Sequence, residues 1–164
     1  MIKRNLLLIL LTGLIGIAVL NASTPDEQTN TISDINNGIE VGSLKQLNSI
    51  SVDQIKTDYI ILNLWASWCI PCQNEVEELL KISKESNITV IGVLVDDSAS
   101  NGREFIKNNK IPYKNILKEE ESDIVLSQFN WTGIPTTLIL DSDLLILHTL
   151  NGEITANEIF ELTK

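Results

Sequence analysis

Residues 64–72 read Leu-Trp-Ala-Ser-Trp-Cys-Ile-Pro-Cys and contain both cysteines of this 164-residue chain, Cys69 and Cys72. An almost continuous apolar run, 59–65, precedes them and is typical of a strand buried on both faces. A helical pattern of apolar residues follows them. A thiol at a helix N-terminus has a lowered pKa and is therefore reactive. The stretch predicts a redox-active cysteine pair at a strand–helix junction.

The order of the two cysteines predicts different roles for them. Cys69 comes at the loop end and is expected to be the more exposed thiol, so we assign it as the attacking nucleophile. Cys72 lies one turn into the helix and is the expected resolving thiol. The alternatives are an inert structural disulfide, which seldom spans so small a loop, and a metal site. Two cysteines and one histidine cannot complete a four-ligand zinc site without carboxylates, so no metal and no cofactor is expected.

The rest of the chain predicts an α/β domain in the order βαβαβαββα. Alternating strands and helices favour a mostly parallel central sheet with helices on both faces, and the last two strands add an antiparallel hairpin. Strands are predicted at 41–47, 59–65, 88–95, 111–117, 136–140 and 144–150. Helical segments are predicted at 51–55 after Ser51, after the cysteines, over 103–108, from Ser122 to 129, and from Thr155 to 162.

The N-terminus predicts export from the cytoplasm. Two basic residues, Lys3 and Arg4, precede an uncharged apolar run over 6–20, as in a signal sequence. As a helix this run spans about 22 Å, which is short for a bilayer core of roughly 30 Å. A retained membrane anchor and a cleaved signal both fit. We expect an anchor or signal over 1–22, a polar tether over 23–39 and a folded domain over 40–164.

The charge of the chain argues against one class of partner. Its net charge is −10. The sequence contains no stripe of basic residues that would contact phosphates, so nucleic-acid binding is not expected.

Two separated stretches resemble motifs of the thioredoxin superfamily. Residues 64–72 resemble its active-site stretch, and Gly133-Ile134-Pro135-Thr136-Thr137 resembles the loop that carries its cis-proline. The resemblance covers roughly residues 40 to 162 and implies a thioredoxin-like fold. It also implies that Pro135 is cis and faces the cysteines, and that Trp68 and Ile134 contribute to binding of the substrate.

Further positions resemble the membrane-anchored TlpA/ResA type of thiol-disulfide oxidoreductase. Thioredoxin itself has a buried aspartate where this chain has Asn63, whereas the TlpA/ResA type commonly carries a glutamate at the position of Glu75. Glu75 is therefore either a group that tunes the thiols or a solvated helix residue. One departure is the last hairpin, where many relatives have Asp-x-x-Gly and this chain has Asp-Ser-Asp-Leu at 141–144.

The resemblance implies an enzyme that reduces disulfides in exported proteins, including apocytochromes c. Its electrons would come from a membrane thiol transporter, and its domain would face the outside of the cytoplasm. The alternatives are a disulfide-forming oxidase, a thiol peroxidase and a non-catalytic peptide-binding module. The peroxidase is the poorer match, because Ala66 stands where that chemistry usually has threonine or serine.

Overall fold

The computed structural model describes residues 31–164, and the predicted anchor and residues 23–30 of the predicted tether lie outside that part of the chain. A six-stranded sheet with the order β1-β6-β5-β2-β3-β4 forms its centre. The strands are β1 (Thr31–Ser33), β2 (Tyr59–Trp65), β3 (Ile88–Leu94), β4 (Lys114–Ile116), β5 (Thr136–Asp141) and β6 (Ile146–Asn151).

The sheet has a parallel half and an antiparallel half. β2 pairs with β3, and β3 with β4, in parallel. β5 lies antiparallel to both β2 and β6, and β6 pairs antiparallel with β1. The antiparallel part is larger than predicted, because β1 extends the hairpin by one strand. The apolar run of β2 lies at the centre of the sheet, as predicted.

Helices cover both faces of the sheet, as predicted. They are α1 (Ile70–Asn74), α2 (Val76–Ile82), α3 (Ala99–Asn108), α4 (Glu119–Leu126) and α5 (Ala156–Leu162). Successive residues of β2 point to opposite faces. Ile61 packs with Leu79 of α2 and Ile159 of α5, whereas Leu62 packs in a second cluster with Val125 of α4.

The entry strand predicted over 41–47 is wrong, because this segment contains a 3-10 helix, Gly42–Gln46. Val41, Leu44 and Leu47 are all buried in one cluster. Their spacing of three residues places them on one side of a helix with three residues per turn. A second 3-10 helix, Val52–Gln54, follows Ser51 as predicted, but the Ser51 side chain makes no capping hydrogen bond.

Three predicted helices differ from the structure in their bounds; the helix predicted over 103–108 already begins at Ala99. The helix after the cysteines is interrupted at Glu75, which ends α1 and precedes α2. Ser122 does not cap α4 but lies inside it, because the helix already begins at Glu119. Three glutamates occupy the first turn of α4, where negative charge is favourable. The predicted cap at Thr155 is confirmed, since its side chain accepts a hydrogen bond from Glu158 N.

The folded body includes residues that the sequence predicts as part of the tether. Thr31–Ser33 forms an edge strand on β6, and Asn36 is fully buried. The segment is polar, so hydropathy alone does not distinguish it from a linker. Backbone pairing with β6 and the side-chain hydrogen bonds of Asn36 hold it in place. Within residues 31–164 no helix is long and apolar enough to cross a membrane.

Candidate active site

The two cysteines lie where β2 gives way to α1. Cys69 is the N-cap residue of α1, and its Sγ accepts a hydrogen bond from Cys72 N at 3.2 Å. The two residues form a disulfide, with Cα atoms 5.3 Å apart. Pro71 lies in the first helical turn, where its missing N–H breaks no helical hydrogen bond. The structure therefore represents the oxidised form of the cysteine pair.

Exposure does not distinguish the two cysteines in this oxidised form. Cys69 is 4% exposed and Cys72 is 3% exposed. Both pack in a cluster with Trp65, Ala66 and Leu94. Cys69 is expected to be the more exposed of the two, but its exposure exceeds that of Cys72 only slightly, because neighbouring apolar side chains cover both residues.

The two tryptophans near the cysteines have different environments. Trp65 is buried; its Nε1 donates to Asn115 Oδ1 at 3.0 Å, and its ring packs 5.1 Å from that of Phe105. Trp68 is 58% exposed, and its Nε1 donates to Asp96 O at 3.0 Å. Trp68 thus presents a ring of fixed orientation beside Cys69.

The second sequence motif lies against the first in space. The Ile134–Pro135 peptide bond is cis. Ile134 packs against the cluster that contains Cys69 and Cys72. Pro135 O accepts a hydrogen bond from Gly152 N at 3.0 Å. The structure therefore brings the residue before the cis bond to the cysteine pair.

Glu75 is buried, which excludes a solvated position on the helix. It is 1% exposed. Asn63 Nδ2 donates to Glu75 Oε1 at 2.8 Å, and Ile154 N donates to Glu75 Oε2 at 3.0 Å. The same Asn63 amide nitrogen also donates to Thr137 Oγ1 at 3.0 Å. The carboxyl group is thus linked to β5 just beyond Pro135.

Burial changes the proton affinity of Glu75. Desolvation raises the pKa of this carboxyl to about 7, and the negative charge of Glu153 adds to the rise. The hydrogen bonds from Asn63 and Ile154 oppose it, because they stabilise the carboxylate. The pKa of Tyr113 is also raised, first by burial and then by the charge of Glu75. Glu75 can therefore take up or release a proton near neutral pH.

Sequence reasoning missed a carboxylate that holds the loop before Cys69. Asp97 Oδ2 accepts from Ser67 N at 2.8 Å and from Ser67 Oγ at 2.5 Å. Its Oδ1 accepts from Ser98 N at 2.7 Å and from Asn101 Nδ2 at 2.9 Å. Partial burial alone would raise the pKa of Asp97, but these hydrogen bonds outweigh it and lower the pKa. The sequence contains a signal for this contact, because Asp97 follows β3 and Ser67 follows β2. The carboxyl ends of these two parallel strands lie side by side in the sheet.

A cleft of about 400 Å³ adjoins this loop. Asp96 and Asp97 line one part of it, and Asp123 and Trp131 line others. Trp131 also packs against the core cluster on the α4 face. Among residues 31–164, no group of three or more histidine, cysteine or acidic side chains is arranged to hold a metal ion.

Comparison with known proteins agrees with this geometry. A family model described as thioredoxin-like matches residues 57–146. The thiol-disulfide oxidoreductase ResA of Bacillus cereus is 22% identical to this chain, over 98% of the chain and 93% of ResA. The thiol:disulfide interchange protein DsbE of Haemophilus influenzae is 30% identical over 58% of this chain and 51% of its own length.

A solved structure shows the same fold. The secreted thiol-disulfide isomerase of Corynebacterium glutamicum superposes with a TM-score of 0.62 at 23% identity, over 84% of this chain and 91% of that protein. The matched family model covers more than half of the chain and includes the cysteine pair. The chain therefore belongs to the thioredoxin-like family, as a thiol-disulfide oxidoreductase of the ResA and DsbE type.

Proposed function

We propose that this protein is an extracytoplasmic reductase of disulfides in exported proteins. The observation that carries the proposal is the position of Cys69: it caps α1, is disulfide-bonded to Cys72, and lies in the cluster against which Ile134 packs. A thiolate at that position is stabilised by the N–H group of Cys72.

The proposed reaction begins with the reduced cysteine pair. The Cys69 thiolate attacks one sulfur of a substrate disulfide, whose S–S bond breaks and releases a substrate thiolate. Cys72 then loses its proton and attacks Cys69 Sγ, which releases the second substrate thiol. Two electrons pass from the protein to the substrate, and the protein ends in the disulfide form. An external dithiol, proposed to be that of a membrane thiol transporter, returns it to the reduced form.

Glu75 supports the reductase direction. It lies three residues after Cys72, and its carboxyl group is held away from water. A buried carboxylate near a thiolate disfavours the charge of that thiolate. A strong oxidant has a high reduction potential because its reduced form is stabilised. The Glu75 carboxylate would instead destabilise the thiolate of the reduced form. We propose that Glu75 holds or accepts the proton of Cys72 while the mixed disulfide is resolved.

The proposed substrate surface consists of Trp68, Ile134 and Pro135. Trp68 presents an exposed ring next to Cys69. The backbone of Ile134 would form hydrogen bonds with an extended substrate segment, whose disulfide then faces Cys69. Apocytochromes c are one proposed substrate, because the chemistry requires only an accessible disulfide in an unfolded chain.

The location is proposed from the sequence of 1–22, which lies outside the described residues. The basic residues Lys3 and Arg4 would stay in the cytoplasm, and the domain would be exported. Mass spectrometry of the mature N-terminus distinguishes a retained anchor from a cleaved signal. A full-length protein recovered in the cytosol would contradict export.

The direction of the reaction is tested by the reduction potential of the Cys69–Cys72 pair in a glutathione or dithiothreitol titration. A potential of about −270 mV or below is expected for a reductase, whereas about −120 mV would identify an oxidase. A Cys69→Ser variant that binds partners but exchanges no disulfide would show that catalysis and binding are separable.

A further inference from the structure

The loop that precedes the cis peptide bond belongs to no helix or strand. It runs from Asn130 to Pro135, between the end of α4 and β5. Apart from the hydrogen bond from Gly152 N to Pro135 O at its end, the position of the loop is not set by backbone pairing, and other groups must satisfy its backbone. The N-terminal segment 31–36 supplies such contacts at both ends of this loop.

Asn36 holds the first residue of the loop. Asn36 Nδ2 donates to Asn130 O at 2.7 Å, and Asn130 N donates to Asn36 Oδ1 at 2.9 Å. Asn36 Nδ2 also donates to Thr149 Oγ1 at 3.1 Å, and the residue is fully buried. A side-chain amide presents a donor and an acceptor side by side, so Asn36 pairs with the backbone of Asn130 as a neighbouring strand would.

The other end of the loop is linked to the same segment through β6. Thr31 lies opposite Asn151 in the β1–β6 pairing, and Asn151 Nδ2 donates to Thr31 O at 3.5 Å. Asn151 Oδ1 lies 3.3 Å from Thr136 Oγ1, which donates to Gly133 O at 2.7 Å. Contacts from segment 31–36 thus reach Asn130 directly and Gly133 through two side chains.

We propose that Asn36 is a positioning residue for thiol–disulfide exchange, which acts by holding the loop at Asn130 so that Ile134 stays against the cysteine pair. This inference rests on the proposed role of Ile134 and Pro135 in binding the substrate. A protein disulfide needs that loop for docking, whereas a small aromatic disulfide needs only Cys69. Loss of Asn36 should therefore slow the first reaction selectively.

The test uses the full chain with the variants Asn36→Ala and Asn36→Ser. Asn36→Ser keeps a hydroxyl at this buried position and introduces no charge, so it serves as the milder variant if Asn36→Ala folds poorly. The matched control is Thr149→Val, which removes the third hydrogen bond of Asn36 and leaves both bonds to Asn130. Near-ultraviolet circular dichroism verifies that each protein is folded at the assay temperature.

Two rates are measured for each variant: reduction of insulin, and reaction of the reduced protein with 2,2′-dithiodipyridine. We expect Asn36→Ala to lower kcat/KM for insulin roughly tenfold and to leave the dithiodipyridine rate within about twofold. Thr149→Val should change neither rate by more than that. Equal losses in both rates, or no loss in either, would overturn the proposal.

Hydrogen exchange provides a readout that does not depend on the proposed function. The amide of Asn130 should exchange faster in Asn36→Ala than in Thr149→Val, because only the first variant removes the acceptor of its hydrogen bond. Unchanged exchange in Asn36→Ala would overturn the positioning role. A wild-type protein that fails to reduce insulin would instead refute the proposed function, whatever the exchange result.

Discussion

Asn63 on β2 donates a hydrogen bond of 2.8 Å to the buried carboxyl group of Glu75 at the junction of α1 and α2. Thioredoxin, which this chain resembles, has a buried aspartate at the position of Asn63. In this chain, strand β2 carries the neutral amide of Asn63, and the carboxyl group belongs to Glu75 at the end of α1. This chain therefore also has a buried carboxyl group, but it lies at the end of α1, three residues after Cys72, and not on the strand before the cysteines.

Glu75 should make the stability of the protein depend on pH. Its folded pKa of about 7 exceeds the ordinary value of 4.5, so the folded state binds the proton more tightly. The stabilisation is complete below pH 4.5 and is lost as the pH rises through 7. We expect the free energy of unfolding to fall by up to roughly 3 kcal/mol between pH 4.5 and 8 from this group. Urea denaturation of the oxidised protein at several pH values measures the change.

The variant Glu75→Gln should remove this pH dependence. The side chain of glutamine has one oxygen and one NH₂ group, so it cannot replace both carboxyl oxygens that accept from Asn63 and Ile154. The variant therefore loses one of these two hydrogen bonds at every pH. Its stability should be lower at pH 5 but flatter from pH 5 to 8. The Cys69 pKa should also be lower in the reduced variant. Glu77→Gln, at an exposed position on α2, is the control and should retain the wild-type slope. A wild-type slope in Glu75→Gln would contradict the assignment.

Replacement of the resolving thiol should trap the substrate. In Cys72→Ser, Cys69 can still attack a protein disulfide, but no thiol remains to release the product. Mixed disulfides should accumulate and appear on non-reducing gels, and they should disappear on addition of dithiothreitol. Cys69→Ser should trap far less, because its remaining thiol lies inside α1. Equal trapping by both variants would show that the roles of the cysteines are not distinct.

Asp97 should stabilise the loop that carries Trp68 and Cys69. Asp97→Ala removes four hydrogen bonds to a charged acceptor, two of them from Ser67. We expect the free energy of unfolding to fall by about 1–3 kcal/mol, and the alkylation rate of reduced Cys69 to change. Asp123→Ala is the matched control, because Asp123 is an exposed aspartate lining the same cleft. Equal effects of the two replacements would exclude a specific role for Asp97.

The parts of the fold that follow from hydropathy were predictable. The buried strands β2, β3 and β5 each contain a run of large apolar residues, and the sequence assigns their bounds nearly to the residue. The cysteine pair and the loop at Pro135 were likewise identified from local motifs. Their proximity in space follows from the order of the strands in the sheet.

The parts that depend on hydrogen bonds between distant side chains were not predictable. Asn36 bonds with Asn130 across 94 positions of the chain, and its neighbours are polar, so the segment resembles a linker. Asp97 likewise reaches Ser67 across 30 positions. The sequence left the state of Glu75 open, because the same helical pattern permits a buried and a solvated glutamate. Only the three-dimensional arrangement places Asn63 and Ile154 against it.

The hairpin between β5 and β6 provides a test of backbone strain. Leu144 has φ +68°, in the left-handed region that disfavours residues with a Cβ. Many relatives have glycine at this point of the turn. Leu144 is nevertheless 1% exposed and packs in the core cluster, so burial of its side chain offsets the unfavourable backbone conformation.

Two truncations of Leu144 separate these effects. Leu144→Ala loses the buried side chain and keeps the strain, and should lower the free energy of unfolding by about 2–5 kcal/mol. Leu144→Gly loses the same packing but relieves the strain, so we expect it to be more stable than Leu144→Ala by about 1 kcal/mol. At most other positions in a helix or strand, a glycine variant is less stable than the corresponding alanine variant. Leu140→Ala and Leu140→Gly, at a buried position on β5, provide the control pair, in which alanine should be the more stable. Urea denaturation of the four variants measures both differences. If Leu144→Ala is more stable than Leu144→Gly, as expected for the pair at position 140, the left-handed backbone conformation of residue 144 carries no energetic cost.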